Sequence, residues 1–410
     1  MAEELPPELR KEAEYERNGQ QEERSDSPSR TATPSPRRLP GSRTEERGSR
    51  EDANRTDQRQ NQHQPYTSSY RQAFAAIDLG TNNCRLLIAR PSGENFVVID
   101  AFSRVVRLGE GLAQTGRLSE AAMDRALSAL QVCADKLRRR NVYLARSVAT
   151  EACRRAENGP EFIERVREKT GIMLDIISAK EEARLAVLGC HLLLEQGEGP
   201  AMIFDIGGGS TELVLVENQH GTIPRIHDWQ SVPWGVVSLT ETCGDEPEGE
   251  IARAERYAKM RGLVRDSLAP FAKRITEHLA RSEQSHPLRL LGTSGTVTTL
   301  ASLHLELPQY DRRAVDGLIV PASAMRDISV RLSGLGPEER RAQPCIGRER
   351  SDLVVAGCAI LETILDLWPA DRLGVADRGI REGILRSLMS AGDAAEKSRA
   401  ALRQARRNQS

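Results

Sequence analysis

One hairpin pattern occurs twice in this chain. Asp78-Leu-Gly-Thr-Asn-Asn-Cys-Arg-Leu-Leu-Ile-Ala89 and Asp205-Ile-Gly-Gly-Gly-Ser-Thr-Glu-Leu-Val-Leu-Val216 lie 127 residues apart. Each reads as the end of an apolar strand, an Asp, an apolar residue, a Gly, a few small or polar residues and a second strand. A repeat spaced by about one domain points to two related units rather than to an isolated glycine turn. The small residues let backbone N–H groups approach phosphate oxygens closely. Gly80, Thr81, Asn82 and Asn83 in the first copy, and Gly207, Gly208, Gly209 and Ser210 in the second, are therefore candidate phosphate-binding residues. Asp78 and Asp205, at the strand ends, are placed to hold Mg²⁺ or its waters.

Other glycine motifs do not account for the pattern. No Gly-Lys pair occurs, so G-x-x-x-x-G-K-[ST] is absent. Glu212 stands where G-x-G-x-x-G needs its third glycine, and a strand pattern follows where a helix would be required.

The flanking periodicities alternate between strand and helix. Strands are expected at 74–78, 85–89 and 94–108, a helix at 119–140 capped by Ser119, a strand at 142–150, a helix at 160–170 and a strand at 172–178. Ser178 and Glu181 make a capping box for a helix over 180–195. The order then restarts with strands at 201–207, 211–217 and about 223–232, a long polar helix at 249–282, a strand at 288–292 and a helix at 296–305. Helices at 322–333, 351–367 and 381–389 and a strand at 372–377 complete the core. The expected architecture is α/β: two tandem domains, 74–198 and 199–390, facing each other across a cleft, with the last helix free to pack back on the first.

Composition narrows the function. With 58 Lys+Arg against 59 Asp+Glu, the chain is not a basic nucleic-acid coat. No apolar run of about 18 residues is present, so no membrane span is expected, and the acidic start is unlike a secretory signal. Seven cysteines without a C-x-x-C pair argue for buried thiols in a reducing, cytoplasmic setting. Residues 1–73 hold no Val, Ile, Phe, Trp or Cys and are expected to form a disordered tail. Residues 391–410, with five basic and two acidic residues, read as a basic flexible end.

The blocks AIDLGTNNCRLLIAR, ATEACR (149–154), ISAKEEARLA (177–186), DIGGGSTEL (205–213) and LGTSGTVTTLA (291–301) resemble the bacterial exopolyphosphatase and guanosine pentaphosphate phosphohydrolase family. VPWGVVSLTE (232–241), RERSDLVVAG (348–357) and RGIREGIL (378–385) follow in the same order. The resemblance implies two ribonuclease H-like domains of the actin-like ATPase, sugar-kinase and Hsp70 superfamily, in the family's short two-domain form. It implies that Glu182 activates the attacking water and that Arg154 binds phosphate. Glu212 joins Asp78 and Asp205 as a metal candidate, since three carboxylates around a polyanion require Mg²⁺ (or Mn²⁺) between them. Thr293, Ser294 and Gly295 join a strand to a helix whose N-terminus can bind an anion, and Arg381 and Glu382 shape the cleft.

The reaction expected is stepwise hydrolysis of the terminal phosphoanhydride of inorganic polyphosphate. The alternatives are removal of the 5′-phosphate of guanosine pentaphosphate by the same groups, a kinase of the same superfamily, and a non-catalytic polyphosphate or alarmone binder. The reading allows a homodimer.

Overall fold

The computed structural model describes residues 72–93, 95–197, 199–217, 223–281, 287–347 and 350–391. The expected N-terminal tail, except its last two residues, and the basic end beyond 391 lie outside them. All described residues belong to one unit.

Two mixed sheets carry the architecture. The first has the order β3-β2-β1-β4-β5, built from β1 (Ala73–Leu79), β2 (Asn83–Ser92), β3 (Asn95–Val105), β4 (Val142–Ala149) and β5 (Leu174–Ile176). The second has the order β10-β11-β9-β6-β7-β8, from β6 (Pro200–Ile206), β7 (Thr211–Glu217), β8 (Arg225–Val232), β9 (Arg289–Thr293), β10 (Ile319–Pro321) and β11 (Arg372–Ala376). In each sheet an antiparallel three-strand meander is followed by two strands parallel to its first strand. The duplicated hairpin thus belongs to a duplicated sheet, and the two lobes have the actin-like α/β architecture.

Several boundaries differ from the periodicity. The third strand stops at Val105, because the N–H groups of Val106 and Arg107 both turn to Asn82 O, at 2.8 and 3.0 Å. The helix expected to 195 ends at Cys190 and tightens into a 3₁₀ turn, His191–Leu193. The helix Val354–Leu367 starts three residues later than its apolar pattern. Ser178 Oγ does accept from Glu181 N at 3.2 Å, but the Glu181 carboxylate bonds Arg146 and Arg184 instead of reaching back, so the cap is one-sided. Short helices at Leu112–Thr115, Glu151–Arg155, Val236–Cys243, Arg312–Val315 and Pro337–Arg341 were not legible, since runs of four to eight residues show too little periodicity.

Each sheet has its own core. Helix Glu120–Arg139 buries Met123, Ala126, Leu127, Leu130, Cys133 and Ala134 against the first sheet, an i, i+3/i+4 stripe. The second sheet packs against the helices Glu250–Arg281, Gly295–His304 and Val354–Leu367. Helix Ala179–Cys190 joins the two lobes: Leu185 and Ala186 pack with the first sheet, and Ala183, Val187 and Cys190 with the second. The final helix, 380–391, returns to the first sheet, where Ile380, Ile384 and Leu385 meet Phe74, Ala76 and Leu87. These two helices cross backbone to backbone: a Cβ on Gly189 would overlap Gly379 O, and one on Gly383 would overlap Leu185 O.

No described helix is long and apolar enough to cross a membrane. All seven cysteines are free thiols, and burial pushes Cys153 and Cys358 up to about 12, which keeps them unreactive.

Candidate active site

The two repeated loops meet at the floor of the interlobe cleft. Both are closed by the same turn hydrogen bond, Gly80 N to Asn83 O and Gly207 N to Ser210 O, each 2.9 Å. A Cβ on Gly208 would lie 3.0 Å from Thr81 Cβ and 3.1 Å from Asn82 N, so the glycines permit a contact that a side chain would push apart. The segment after each meander takes up loop carbonyls. Val106, Arg107 and Gly109 N–H groups hold Asn82 O and Thr81 O, while Val236, Val237 and Ser238 N–H groups hold Gly207 O and Gly208 O. The N–H groups of Thr81, Asn82, Gly208, Gly209 and Ser210 make no hydrogen bond to another described residue. Unpartnered amides in small-residue turns form an anion-binding concavity.

The cleft opens to solvent, and the empty space it bounds, open solvent included, is about 970 Å³. Asp78, Gly80, Thr81, Asn82, Asn83, Glu182, Asp205, Gly207, Gly208, Gly209, Ser210, Glu212, Ser294 and Gly295 all line it. Thr293 stands behind this wall, its hydroxyl donating to Arg378 O at 2.8 Å. Ser294 caps the next helix by accepting from Thr296 N and Val297 N at 3.2 and 3.4 Å. Glu382 is buried and accepts from Gly379 N and Arg312, at 2.9 and 3.0 Å, which fixes the start of the final helix beside Ile380 in the cleft wall.

Strand register explains the carboxylates. Asp205 pairs directly with Glu212 across β6 and β7, as Asp78 pairs with Arg85 across β1 and β2. The two copies therefore present acid–acid in one lobe and acid–base in the other. Burial, then repulsion from Glu182 and Asp78, pushes Asp205 up to about 7, with Arg85 opposing. Burial and the nearby Asp205 bring Glu212 to about 7, although Glu212 Oε1 accepts from Ser210 Oγ at 2.6 Å and Ser231 Oγ at 2.9 Å. Asp78 is raised by burial, against the pull of Arg85 and Arg381.

Glu182 sits in the first turn of helix Ala179–Cys190 and is only 7% exposed. Burial and the Glu212 carboxylate hold its pKa well above the usual carboxylate range, against the pull of Arg154. Arg154, for which the resemblance implies phosphate binding, is held here by protein groups. Its Nη1 donates to Glu182 Oε2 at 3.0 Å and to Ile177 O at 2.8 Å, and its Nη2 donates to Glu151 Oε2 at 2.6 Å. The guanidinium is thus engaged with the glutamates and is not part of the cleft lining.

The acids are raised because buried carboxylates crowd one wall of the cleft, and Asn82 Oδ1 is buried there without a partner. That chemistry fits a divalent cation. Among the described residues no three carboxylates, histidines or cysteines form a ready cage, so phosphate oxygens and water must complete any coordination shell.

Arg85, Arg350 and Glu151 also line the cleft and were not singled out from the sequence. Arg85 and Arg350 make no side-chain hydrogen bond or ion pair with another described residue. Arg85 could have been found by aligning the two repeats, where it takes the position of Glu212. Arg350 has no local signal; it reaches Gly295 only through packing of the 350–354 segment.

Known proteins are similar to this chain in sequence and fold. Residues 87–391 match the Ppx/GppA phosphatase family. The chain is 32% identical over 331 residues to exopolyphosphatase 2 of Mycobacterium tuberculosis, an alignment covering 77% of this chain and 98% of that protein. A crystal structure of an exopolyphosphatase from Cytophaga hutchinsonii superposes with a TM-score of 0.68 at 25% identity, covering 78% of this chain and 98% of the other. The Aquifex aeolicus Ppx/GppA family member gives a TM-score of 0.62 at 28% identity, with the same two coverages. This chain belongs to the Ppx/GppA phosphatase family.

Proposed function

We propose that this protein hydrolyses the terminal phosphoanhydride of inorganic polyphosphate and releases orthophosphate. The observation that carries the reading is the pair of facing loops, whose unpartnered N–H groups converge from both lobes beside the buried Glu182. Relatives named exopolyphosphatase support the substrate class.

Thr81, Asn82, Gly208, Gly209 and Ser210 would bind the terminal phosphate through backbone N–H groups, and Arg85 would neutralise part of its charge. Asp78 and Asp205 would hold a Mg²⁺ or Mn²⁺ ion, with Glu212 behind them. When bound, that ion neutralises charge on the phosphate oxygens. Ionised Glu182 takes a proton from water as the water oxygen bonds to the terminal phosphorus. The bridging P–O bond breaks, and the shortened chain departs with its electron pair. The raised pKa makes Glu182 a stronger base than an exposed carboxylate, and Arg154 keeps enough of it ionised and aimed.

The test is phosphate release with Mg²⁺ from long-chain polyphosphate and, in parallel, from guanosine pentaphosphate. Wild type is expected to degrade polyphosphate, while Glu182→Gln binds it but turns over roughly 10²–10⁴-fold more slowly. Release from the pentaphosphate alone would assign the cleft to the nucleotide, and full turnover by the Gln variant would remove Glu182 from the reaction.

A further inference from the structure

A strap of the first lobe reaches across to the second. It follows β3 as residues 106–112 and is bonded to the first phosphate loop throughout: Val106 and Arg107 N–H groups donate to Asn82 O, and Gly109 N donates to Thr81 O at 2.9 Å. A Cβ on Gly109 would overlap Thr81 Cγ2. Arg125 holds the strap from behind, with Nε donating to Val106 O at 2.9 Å and Nη2 to Arg107 O at 3.1 Å and Glu110 Oε2 at 2.6 Å. Arg107 itself has φ 45°, a left-handed conformation that a long side chain seldom adopts unless surrounding bonds impose it.

Two ties then cross between lobes. Gly111 N donates to Glu241 Oε1 at 2.9 Å, and Arg107 Nη2 lies 3.7 Å from Asp352 Oδ2. Glu241 belongs to helix Val236–Cys243, whose first N–H groups hold the carbonyls of the second phosphate loop. Asp352 is next to Leu353 and two residues from Arg350, both in the cleft wall. Between Arg350 and Asp352, the Ser351 carbonyl is fixed by Nε of the fully buried Arg340 at 2.9 Å. Each tie therefore ends on an element that also forms the cleft.

We propose that Glu241, Arg107 and Asp352 are positioning residues that set the separation of the two phosphate loops. They tie the second lobe to the strap, and the strap carries that restraint to Thr81 and Asn82. This rests on the reading of the cleft as a polyphosphate site. Without the ties, the empty loops drift apart and part of the binding free energy is spent in drawing them together. At saturation the bound chain bridges the loops itself, so turnover is retained.

Steady-state kinetics on the full chain separates this role from a structural one. Glu241→Ala is expected to raise KM for polyphosphate about tenfold, with kcat within about twofold, as for loss of a part-buried charged hydrogen bond. Glu241→Gln keeps an acceptor for Gly111 N and is expected to retain a near-wild-type KM. Arg107→Asp and Asp352→Arg should each raise KM about two- to threefold, the size of an exposed ion pair. Their combination should restore it, since Asp tolerates the left-handed conformation.

Orthophosphate binding, followed calorimetrically, is the second readout and needs no turnover. The same variants should weaken it in the same order, so an enzyme inactive on polyphosphate would overturn the substrate reading while the ties were still scored. Unchanged KM and phosphate affinity in Glu241→Ala and Arg107→Asp would overturn the proposal. A Glu241→Gln variant as impaired as Glu241→Ala, with a lowered melting temperature, would overturn it in favour of simple helix packing.

Discussion

Arg154 joins Glu182 to Glu151: one guanidinium nitrogen donates to Glu182 Oε2 at 3.0 Å and the other to Glu151 Oε2 at 2.6 Å. The arrangement makes Arg154 the orienter and counter-charge of the buried glutamate. Arg154 lowers the Glu182 pKa against burial, so removing it leaves the carboxyl protonated to higher pH. Arg154→Ala is therefore expected to lower kcat and to move the acid limb of the pH–rate profile upward. A variant with reduced kcat but an unmoved limb would restrict Arg154 to geometry.

Asp205 and Glu212 make a prediction about stability. Both have a pKa of about 7 in the fold, against about 4 in an unfolded chain. Between those values the folded state binds more protons, so the stability associated with these groups is full below about pH 4 and is lost as pH rises through about 7. In metal-free buffer, Asp205→Asn should be more stable than wild type at pH 8, by on the order of 1–4 kcal/mol, with the gap closing towards pH 4. Thermal melts across that range would show it, and a pH-independent gap would refute the assignment. The variant should lose activity while gaining stability.

Gly235 is a steric prediction. A Cβ there would overlap the Gly208 carbonyl carbon and oxygen, both backbone atoms that cannot swing aside. Gly235→Ala must shift the second phosphate loop. A cost of about 1–3 kcal/mol in stability is expected from the overpacking. A displacement of this kind also reduces kcat/KM by on the order of 10²-fold. Circular dichroism melting beside kinetics would separate the two effects.

Among the described residues Arg340 is the largest fully buried side chain, and it donates to Leu335 O, to Ser351 O and to Glu246. Arg340→Met removes the cation from a part-buried pair and leaves two carbonyls without that donor. A loss of about 3–5 kcal/mol is expected. Urea unfolding should show a lower midpoint at unchanged slope. A second substitution, Glu246→Gln, should recover part of the loss.

The phosphate loops were legible because their requirements are local. A hairpin that brings amides to an anion needs small residues in a few consecutive positions, and the chain supplies two such runs at 78–89 and 205–216. Helix Glu120–Arg139 was legible for a related reason, since a 20-residue amphipathic stripe states its own period. The helix Val236–Cys243 was missed although its block was noticed, because eight residues with a Gly cap carry almost no period. Arg154 was singled out by its block, but neither its short helix Glu151–Arg155 nor its partners could be read, because both depend on where the Glu182 helix packs.

Pairing across β6–β7 and β1–β2 was implicit in the repeat, and with it the opposition of Asp205 to Glu212 and of Asp78 to Arg85. These relations depend on turn length and strand alternation, which are properties of a dozen adjacent residues. The distances between the two loops, the burial that raises Glu182, the recruitment of Arg350 and the ties from Arg107 and Gly111 are different in kind. Each joins segments about a hundred residues apart or more, or depends on several helices packing at once. Short-range steric and hydrogen-bonding preferences determined the parts; the packing of two sheets around one shared helix decided which charges meet.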